Sequence, residues 1–332
     1  MGAIPAWQIL TLLHYSDEIV KNMVYHVTLT LVDRLVLAYV DNRWIERRVL
    51  SYAHRGGSFE APSSTIGALG SAREAGVSGL ELDVHSTSDG VLICCHDDVV
   101  DTTTDGKGRV SRLTWSQIEA LNAGFWFVPN FRTSVVQARP ENEYVYRQER
   151  LRGEMTRLAR VDEVLGNFPD MILNFDIKST SPSVEPYEEK LADLILAHDA
   201  VDRVIVSSFL DSAIWRIRQS NPNISTSAAP GEISEFYFAL VSGRQEAIDV
   251  ARLAPYVAFQ IPRFFGEVEL ATPKFIDAAH AGGKAVHVWT INDRDAMEAL
   301  IRMGVDGIIS DQPSLLVPVI EESATHYRYR SN

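Results

Sequence analysis

Two histidines, three carboxylates and two cations stand at the ends of short apolar stretches in this chain. His54-Arg55 follows Leu50–Ala53, and Glu81 and Asp83 alternate within Gly79–Val84. Asp176 and Lys178 alternate at the end of Ile172–Ile177, and His96 follows Val91–Cys95. Residues two positions apart on a strand share a face, so Glu81 and Asp83 point the same way. Two carboxylates on one face repel each other unless a cation sits between them. Asp176 supplies a third. Such an oxygen set suits one hard divalent cation, Mg²⁺ or Ca²⁺, with Mn²⁺ also compatible. His54 and His96 add two imidazoles able to act as general acid and general base near neutral pH. Arg55, with its planar fork, and Lys178, a point charge, suit the grip of a phosphate. Together they describe cleavage of a phosphate ester.

Each piece has an ordinary reading as well. A lone histidine at a strand end is commonly a hydrogen-bonded core residue. Glu-x-Asp is commonly a solvated strand face, and Asp-x-Lys an ion pair. The functional reading gains its weight from where the pieces fall: at the ends of successive strands of one barrel, where sites of that fold lie.

The elements that must position them follow from the hydrophobic pattern. Short apolar strands alternate with helical segments from residue 49 onward, as parallel βαβ units do. Eight strands are expected: Leu50–His54, Gly79–Val84, Ile172–Ile177, Val204–Phe209, Thr226–Ala229, Val257–Ile261, Ala285–Thr290 and Gly307–Ser310. Val91–Cys95 follows a Ser-Asp-Gly turn and reads as the return arm of a hairpin after the second strand. Helices are expected over Thr65–Ala75, Trp115–Asn122, Val161–Leu165, Glu189–Ala197, Asp211–Gln219, Pro273–Ala281 and Arg294–Met303. The fold class is therefore α/β, a TIM-type (β/α)8 barrel over residues 49–332. Residues 1–48 form an added N-terminal helical extension, and 125–157 a long loop insertion rich in aromatics, Arg and Pro.

The 332 residues are 46% hydrophobic and 23% charged, ordinary for a globular protein. Acidic residues outnumber basic ones by 44 to 31, and the net charge of −13 argues against a nucleic-acid partner. The two cysteines, Cys94 and Cys95, exclude a disulfide framework and read as small core residues. No basic residue precedes the apolar Ala3–Leu13 run, and charges interrupt every long apolar stretch. A cytoplasmic protein is expected, with residues 1–48 lying on a membrane surface as the alternative. The oligomeric state stays open.

The motifs resemble those of the glycerophosphodiester phosphodiesterase family, among the phospholipase-C-like barrels. Ala53-His54-Arg55-Gly56 resembles its opening His-Arg-Gly, and Gly79–Val84 its Glu-x-Asp strand. Thr87-Ser88-Asp89-Gly90 with His96-Asp97 resembles its hairpin, and Thr103–Gly108 the loop that follows. Asn174–Lys178, Ser207-Ser208-Phe209, Val288–Asn292 and Gly304–Pro313 resemble its later strand ends, in order. The resemblance implies Glu81, Asp83 and Asp176 as metal ligands, and His54 and His96 as the acid/base pair. It places Arg55 and Lys178 on the phosphate and has Trp289 line the pocket. It implies hydrolysis of a small-molecule glycerophosphodiester to an alcohol and sn-glycerol 3-phosphate.

Three departures stand out. Pro62-Ser63-Ser64-Thr65 replaces the family's usual Pro-Glu-Asn-Thr. Thr102 stands where an Arg usually precedes the Thr-Thr pair. Asp176 replaces the usual Glu, as in sphingomyelinase-D-like relatives. The first two bear on the substrate more than on the reaction class. The altered Pro62–Thr65 box, with the apolar N-terminus and the aromatic loop 125–128, favours a lysophospholipase D or sphingomyelinase-D-like enzyme on a lipid head group such as that of a lysophospholipid. The box also motivates a barrel that binds phosphodiesters without cleaving them.

Overall fold

Strand periodicity and register carry the architecture. The structure, a computed structural model, describes residues 42–45, 49–131, 139–148 and 153–328. The expected extension, apart from residues 42–45, lies outside the described residues, and so does the alternative that it lies on a membrane surface. Parts of the 125–157 loop, residues 132–138 and 149–152, lie outside them too. Among the described residues, no helix is long and apolar enough to cross a membrane.

Eight parallel strands form the barrel: β1 Leu50–His54, β2 Gly79–Ser86, β4 Ile172–Ile177, β5 Val204–Ser208, β6 Ser225–Thr226, β7 Ala258–Pro262, β10 Ala285–Trp289 and β11 Gly307–Ser310. β3, Leu92–Cys94, returns antiparallel along β2, as the Ser-Asp-Gly turn predicts. The ring closes between β6 and β7 through a bridge from Ser227 to Ala258. The expected strand Thr226–Ala229 is thus shorter than its apolar run, because Ala229 already caps the next helix.

The helices are α1 Ile66–Glu74, α2 Trp115–Glu119, α3 Val161–Asn167, α4 Glu188–Ala197, α5 Asp211–Ser220, α6 Pro230–Ser242, α7 Arg244–Leu253, α8 Pro273–Ala281, α9 Arg294–Met303 and α10 Pro313–Arg328. Local chemistry starts several of them. Thr65 caps α1 by accepting from Ala68 N–H, and Asp293 caps α9 by accepting from Ala296 N–H. α6 and α7 are not legible in the sequence pattern. α6 leaves Phe238 55% and Val241 65% exposed, which blurs the one-sided stripe that reveals a surface helix. A two-stranded turn, β8 Phe264–Phe265 with β9 Val268–Glu269, is likewise unexpected; it stands directly after β7.

The main apolar core lies between strands and helices, with Phe275 packed edge to face against Phe236 and Phe259 on one side. The barrel floor is filled by Trp44, Leu50, Tyr52, Ile205, Ala258, Ala285 and Ile309. Trp44 Nε1 donates to Ser225 Oγ at 3.0 Å, and Asn42 Nδ2 to Val257 O at 2.7 Å, so residues before β1 seal this end. Tyr52 fits only because its neighbours lack side chains. A Cβ on Gly79 would lie 2.8 Å from the Tyr52 ring, and one on Gly307 would lie 2.8 Å from His287. The excursion between β2 and α3 has its own small core of Ile93, Cys95, Val100, Val110, Ile118 and Leu158. Trp126 Nε1 donates to Thr104 O and Asn122 Nδ2 to Tyr146 O, tying the described parts of the long loop to it.

Asp306, buried before β11, accepts from Val286 N–H at 2.8 Å and pairs with His280 Nε2 at 2.7 Å. That hydrogen bond raises the His280 pKa above its ordinary 6.5. The pair therefore stabilises the fold fully below about pH 6.5 and loses that contribution as pH rises through the folded value. His280→Gln should lower the urea midpoint more at pH 6 than at pH 8.5. An equal loss at both pH values would contradict the linkage.

Candidate active site

The strand register brings the chemically capable residues to one mouth. His54 ends β1 opposite Glu81 of β2, and Asp83 of β2 lies opposite Asp176 of β4. One carboxylate oxygen from each of Glu81, Asp83 and Asp176 lies within 4.8 Å of the others, and all three residues are buried. At that range two ionised carboxylates repel by about 3.5 kcal/mol at an effective dielectric of 20. Burial and the neighbouring Asp83 hold Glu81 well above the ordinary carboxylate value, against Lys178 and Arg55. Burial acts on Asp83 in the same direction, but Arg55 and Lys178 overcome it and hold its carboxyl below the usual value. Burial also raises Asp176.

The two cations lie against this cluster. Arg55 Nε is 3.0 Å from Asp83 Oδ2. Lys178 Nζ is 2.8 Å from Asp83 Oδ1 and 2.6 Å from Asp176 Oδ2. Arg55 takes a left-handed backbone conformation, φ +56°, that bulky residues avoid. Its carbonyl accepts from Ser64 N–H at 2.9 Å, so the unusual Ser63-Ser64 pair is bonded directly to the main chain that aims the guanidinium.

Each histidine is oriented by an aspartate. His54 Nδ1 is 2.5 Å from Asp311 Oδ1, and His96 Nδ1 is 2.7 Å from Asp97 Oδ1. An ionised carboxylate only accepts, so each Nδ1 carries hydrogen and each Nε2 a lone pair. His54 Nε2 faces Glu81 Oε2 at 3.8 Å. Burial lowers the His54 pKa despite the opposing Asp311 bond, and the His96 bond takes Asp97 down to about 2. Asp311 is itself held by Ser58 Oγ and by Asn292 Nδ2 at 2.7 Å. Asn292 Oδ1 accepts back from Asp311 N–H at 2.8 Å and Ser310 Oγ at 3.0 Å.

Asp311, Asn292, Asp97 and Ser58 receive no role from the sequence alone. The signal for Asp311 was present: it directly follows β11, and Ser310 pairs with Ala53 beside His54. Trp289 stands further round the rim, its ring 5.6 Å from that of Phe209.

The family described as the glycerophosphoryl diester phosphodiesterase family matches residues 54–315. The chain belongs to that family. The glycerophosphodiester phosphodiesterases are phosphoric diester hydrolases, and this protein is an enzyme of that class. It is similar to the "Glycerophosphodiester phosphodiesterase" of Caldanaerobacter subterraneus subsp. tengcongensis, with 31% identity over 83% of this chain and 99% of that protein. The "Probable glycerophosphodiester phosphodiesterase 2" of Mycobacterium tuberculosis is 29% identical over 82% of this chain and 90% of its own length. A crystal structure of glycerophosphodiester phosphodiesterase from Agrobacterium tumefaciens shares the fold, with a TM-score of 0.62, 22% identity, and coverage of 82% of this chain and 98% of that one. So does an Oleispira antarctica phosphodiesterase solved in complex with its product sn-glycerol-3-phosphate, at TM-score 0.61 and 24% identity over 82% of this chain and 97% of that one.

The family's divalent cation can be tested against these residues. Glu81 Oε2 and Asp176 Oδ1 are buried and accept no hydrogen bond. Buried oxygens without donors are costly unless something positive meets them. Three converging hard oxygen donors meet that need, so the cluster fits a divalent cation. Titrating Mg²⁺, Mn²⁺ or Ca²⁺ into the metal-stripped protein should raise Tm, and Asp176→Asn should remove most of the rise. At a hundredfold excess over Kd the stabilisation is about 2.7 kcal/mol. A Tm indifferent to all three ions would exclude the assignment.

Proposed function

We propose that this protein hydrolyses glycerophosphodiesters to an alcohol and sn-glycerol 3-phosphate, with His54 and His96 as the acid/base pair. One arrangement carries the reading: two aspartate-oriented imidazoles share a barrel mouth with Arg55, Lys178 and three buried carboxylates. Relatives of 31% and 29% identity along most of their length bear that activity in their names.

Glu81, Asp83 and Asp176 would hold one divalent cation, Mg²⁺ or Ca²⁺, with Mn²⁺ suited to the same ligands. When bound it supplies charge neutralisation at the phosphate. Arg55 and Lys178 have further N–H donors besides those on Asp83 and Asp176, and these bind the non-bridging oxygens. They stabilise the charge that builds on them in the transition state. One imidazole takes a proton from water through its Nε2 lone pair as the water oxygen bonds to phosphorus. The bond from phosphorus to the departing alcohol's oxygen breaks, and the other imidazole, protonated, returns a proton to that oxygen. Asp311 and Asp97 keep Nδ1 protonated on each ring and stabilise the imidazolium form.

A second reading concerns the alcohol side. An open depression of about 490 Å³ lies beside the mouth, lined by Pro262, Phe264, Trp289, Ile291 and Ala296 together with Arg263, Thr290, Asn292 and Asp293. Phe265, at the tip of the adjoining turn, is 74% exposed. The apolar residues on this wall and turn favour a substrate with an acyl chain, as a lysophospholipase D-type enzyme would take, with the polar ones left to its head group.

His54→Ala and His96→Ala should each lower turnover of glycerophosphocholine by roughly 10²- to 10⁴-fold. Unchanged cleavage in both would sink the acid/base assignment and favour a binding barrel. Preference for lysophosphatidylcholine over glycerophosphocholine, abolished by Trp289→Ala, would select the second reading. Equal preference in wild type and variant would reject it.

A further inference from the structure

We propose that His85 is a positioning residue that holds the His96 imidazole in place for catalysis. The inference rests on the reading of His96 as one of the acid/base pair. Alternation along β2 places His85 on the face shared by Glu81 and Asp83, one step nearer the mouth. It is only 4% exposed, and its two ring nitrogens reach two different elements. Nε2 lies 3.3 Å from the main-chain oxygen of His96. Nδ1 lies 3.2 Å from Ser179 Oγ, in the residue after Lys178. A carbonyl oxygen only accepts, so Nε2 carries the hydrogen and Nδ1 accepts from the Ser179 hydroxyl.

His96 needs such a brace. β3 ends at Cys94, and Cys95 N–H still bonds to Asp83 O at 3.0 Å. His96 lies just beyond, in a bend outside the strand ladder. Its side chain is tied to Asp97, which sits in the same bend and can move with it. Asp98 O accepts from Val110 N–H, a bond that stays within the excursion. The His85 ring instead ties the bend to a barrel strand, and through Ser179 to the end of β4. A buried side chain with two directed bonds to neighbouring functional segments has the character of a support that fixes a catalytic group. Displacement of a catalytic group by about 1 Å can cost on the order of 10²-fold in rate.

Three substitutions separate this role from simple packing. Gln carries its amide nitrogen to about the position of Nε2, whereas Asn reaches only that of Nδ1. His85→Leu should lower kcat for glycerophosphocholine by roughly 10- to 100-fold while KM, set by Arg55 and Lys178, is largely unchanged. His85→Gln should recover most of kcat, and His85→Asn should not. The imidazole resonances of His96, followed by NMR, should shift and broaden in His85→Leu and return in His85→Gln. This readout needs no turnover, so it tests the brace even if glycerophosphodiesters prove not to be the substrate. Unchanged His96 resonances in His85→Leu, equal rescue by Gln and Asn, or a loss confined to KM would each overturn the proposal. If the Leu variant fails to fold, the contrast between Gln and Asn decides by the same measures.

Discussion

Mutual repulsion among three buried carboxylates is the constraint around which this molecule is arranged. Glu81, Asp83 and Asp176 lie within a few ångströms of one another at the barrel mouth, mostly shielded from water. Such a cluster persists only where positive charge offsets it and a rigid frame prevents its parts from separating. Arg55 and Lys178 supply the first, each in contact with Asp83. The strand register supplies the second, since β1, β2 and β4 are hydrogen-bonded neighbours. The same features that make the cluster costly make it useful. A site rich in unsatisfied acceptors and fixed cations is prepared to receive a cation and a phosphate together.

Around the cluster, the polar contacts form a graded set of supports. Asp311 sets the ring of His54 and is itself set by Ser58 and Asn292, so the closing strands β10 and β11 reach back to the first. Asp97 sets the ring of His96, but from a bend that is less firmly built into the barrel. That asymmetry explains why His54 is buried on a strand while the side chain of His96 is 38% exposed. It also directs attention to His85, the contact between that bend and the barrel wall.

The floor and the mouth divide the labour of the fold. Trp44 and Tyr52 fill the floor, with Gly79 and Gly307 leaving the space. This packing, with Trp44 Nε1 bonded to Ser225 Oγ and the buried His287 ring against Tyr52, stabilises the barrel and lets the opposite end carry charge. The unusual Ser63-Ser64 pair sits on the functional side of this division. Its backbone bonds to Arg55 and to Ala159, but its hydroxyls face each other at 3.5 Å rather than the carboxylates. The pair therefore touches the main chain of Arg55 and leaves the three carboxylates alone.

Much of this was determined by the sequence alone. Alternation put Glu81 and Asp83 on one face, and apolar runs located the eight barrel strands and the hairpin, because period and burial are local properties of the chain. The residues that assemble at the mouth were named for the same reason: each lies on a strand or just beyond one, and a parallel barrel gathers those strands side by side. Helix α6 was not legible, since its apolar residues, Phe238 and Val241 among them, are not confined to one face. Nor was the turn at Phe264–Val268, whose strands are too short to show alternation. Only the tertiary structure decided who supports whom. Asp311 lies 257 positions from His54, and Ser179 lies 94 from His85. Such pairings depend on barrel closure and on the side chain each strand end presents to its neighbour, information that no local pattern contains.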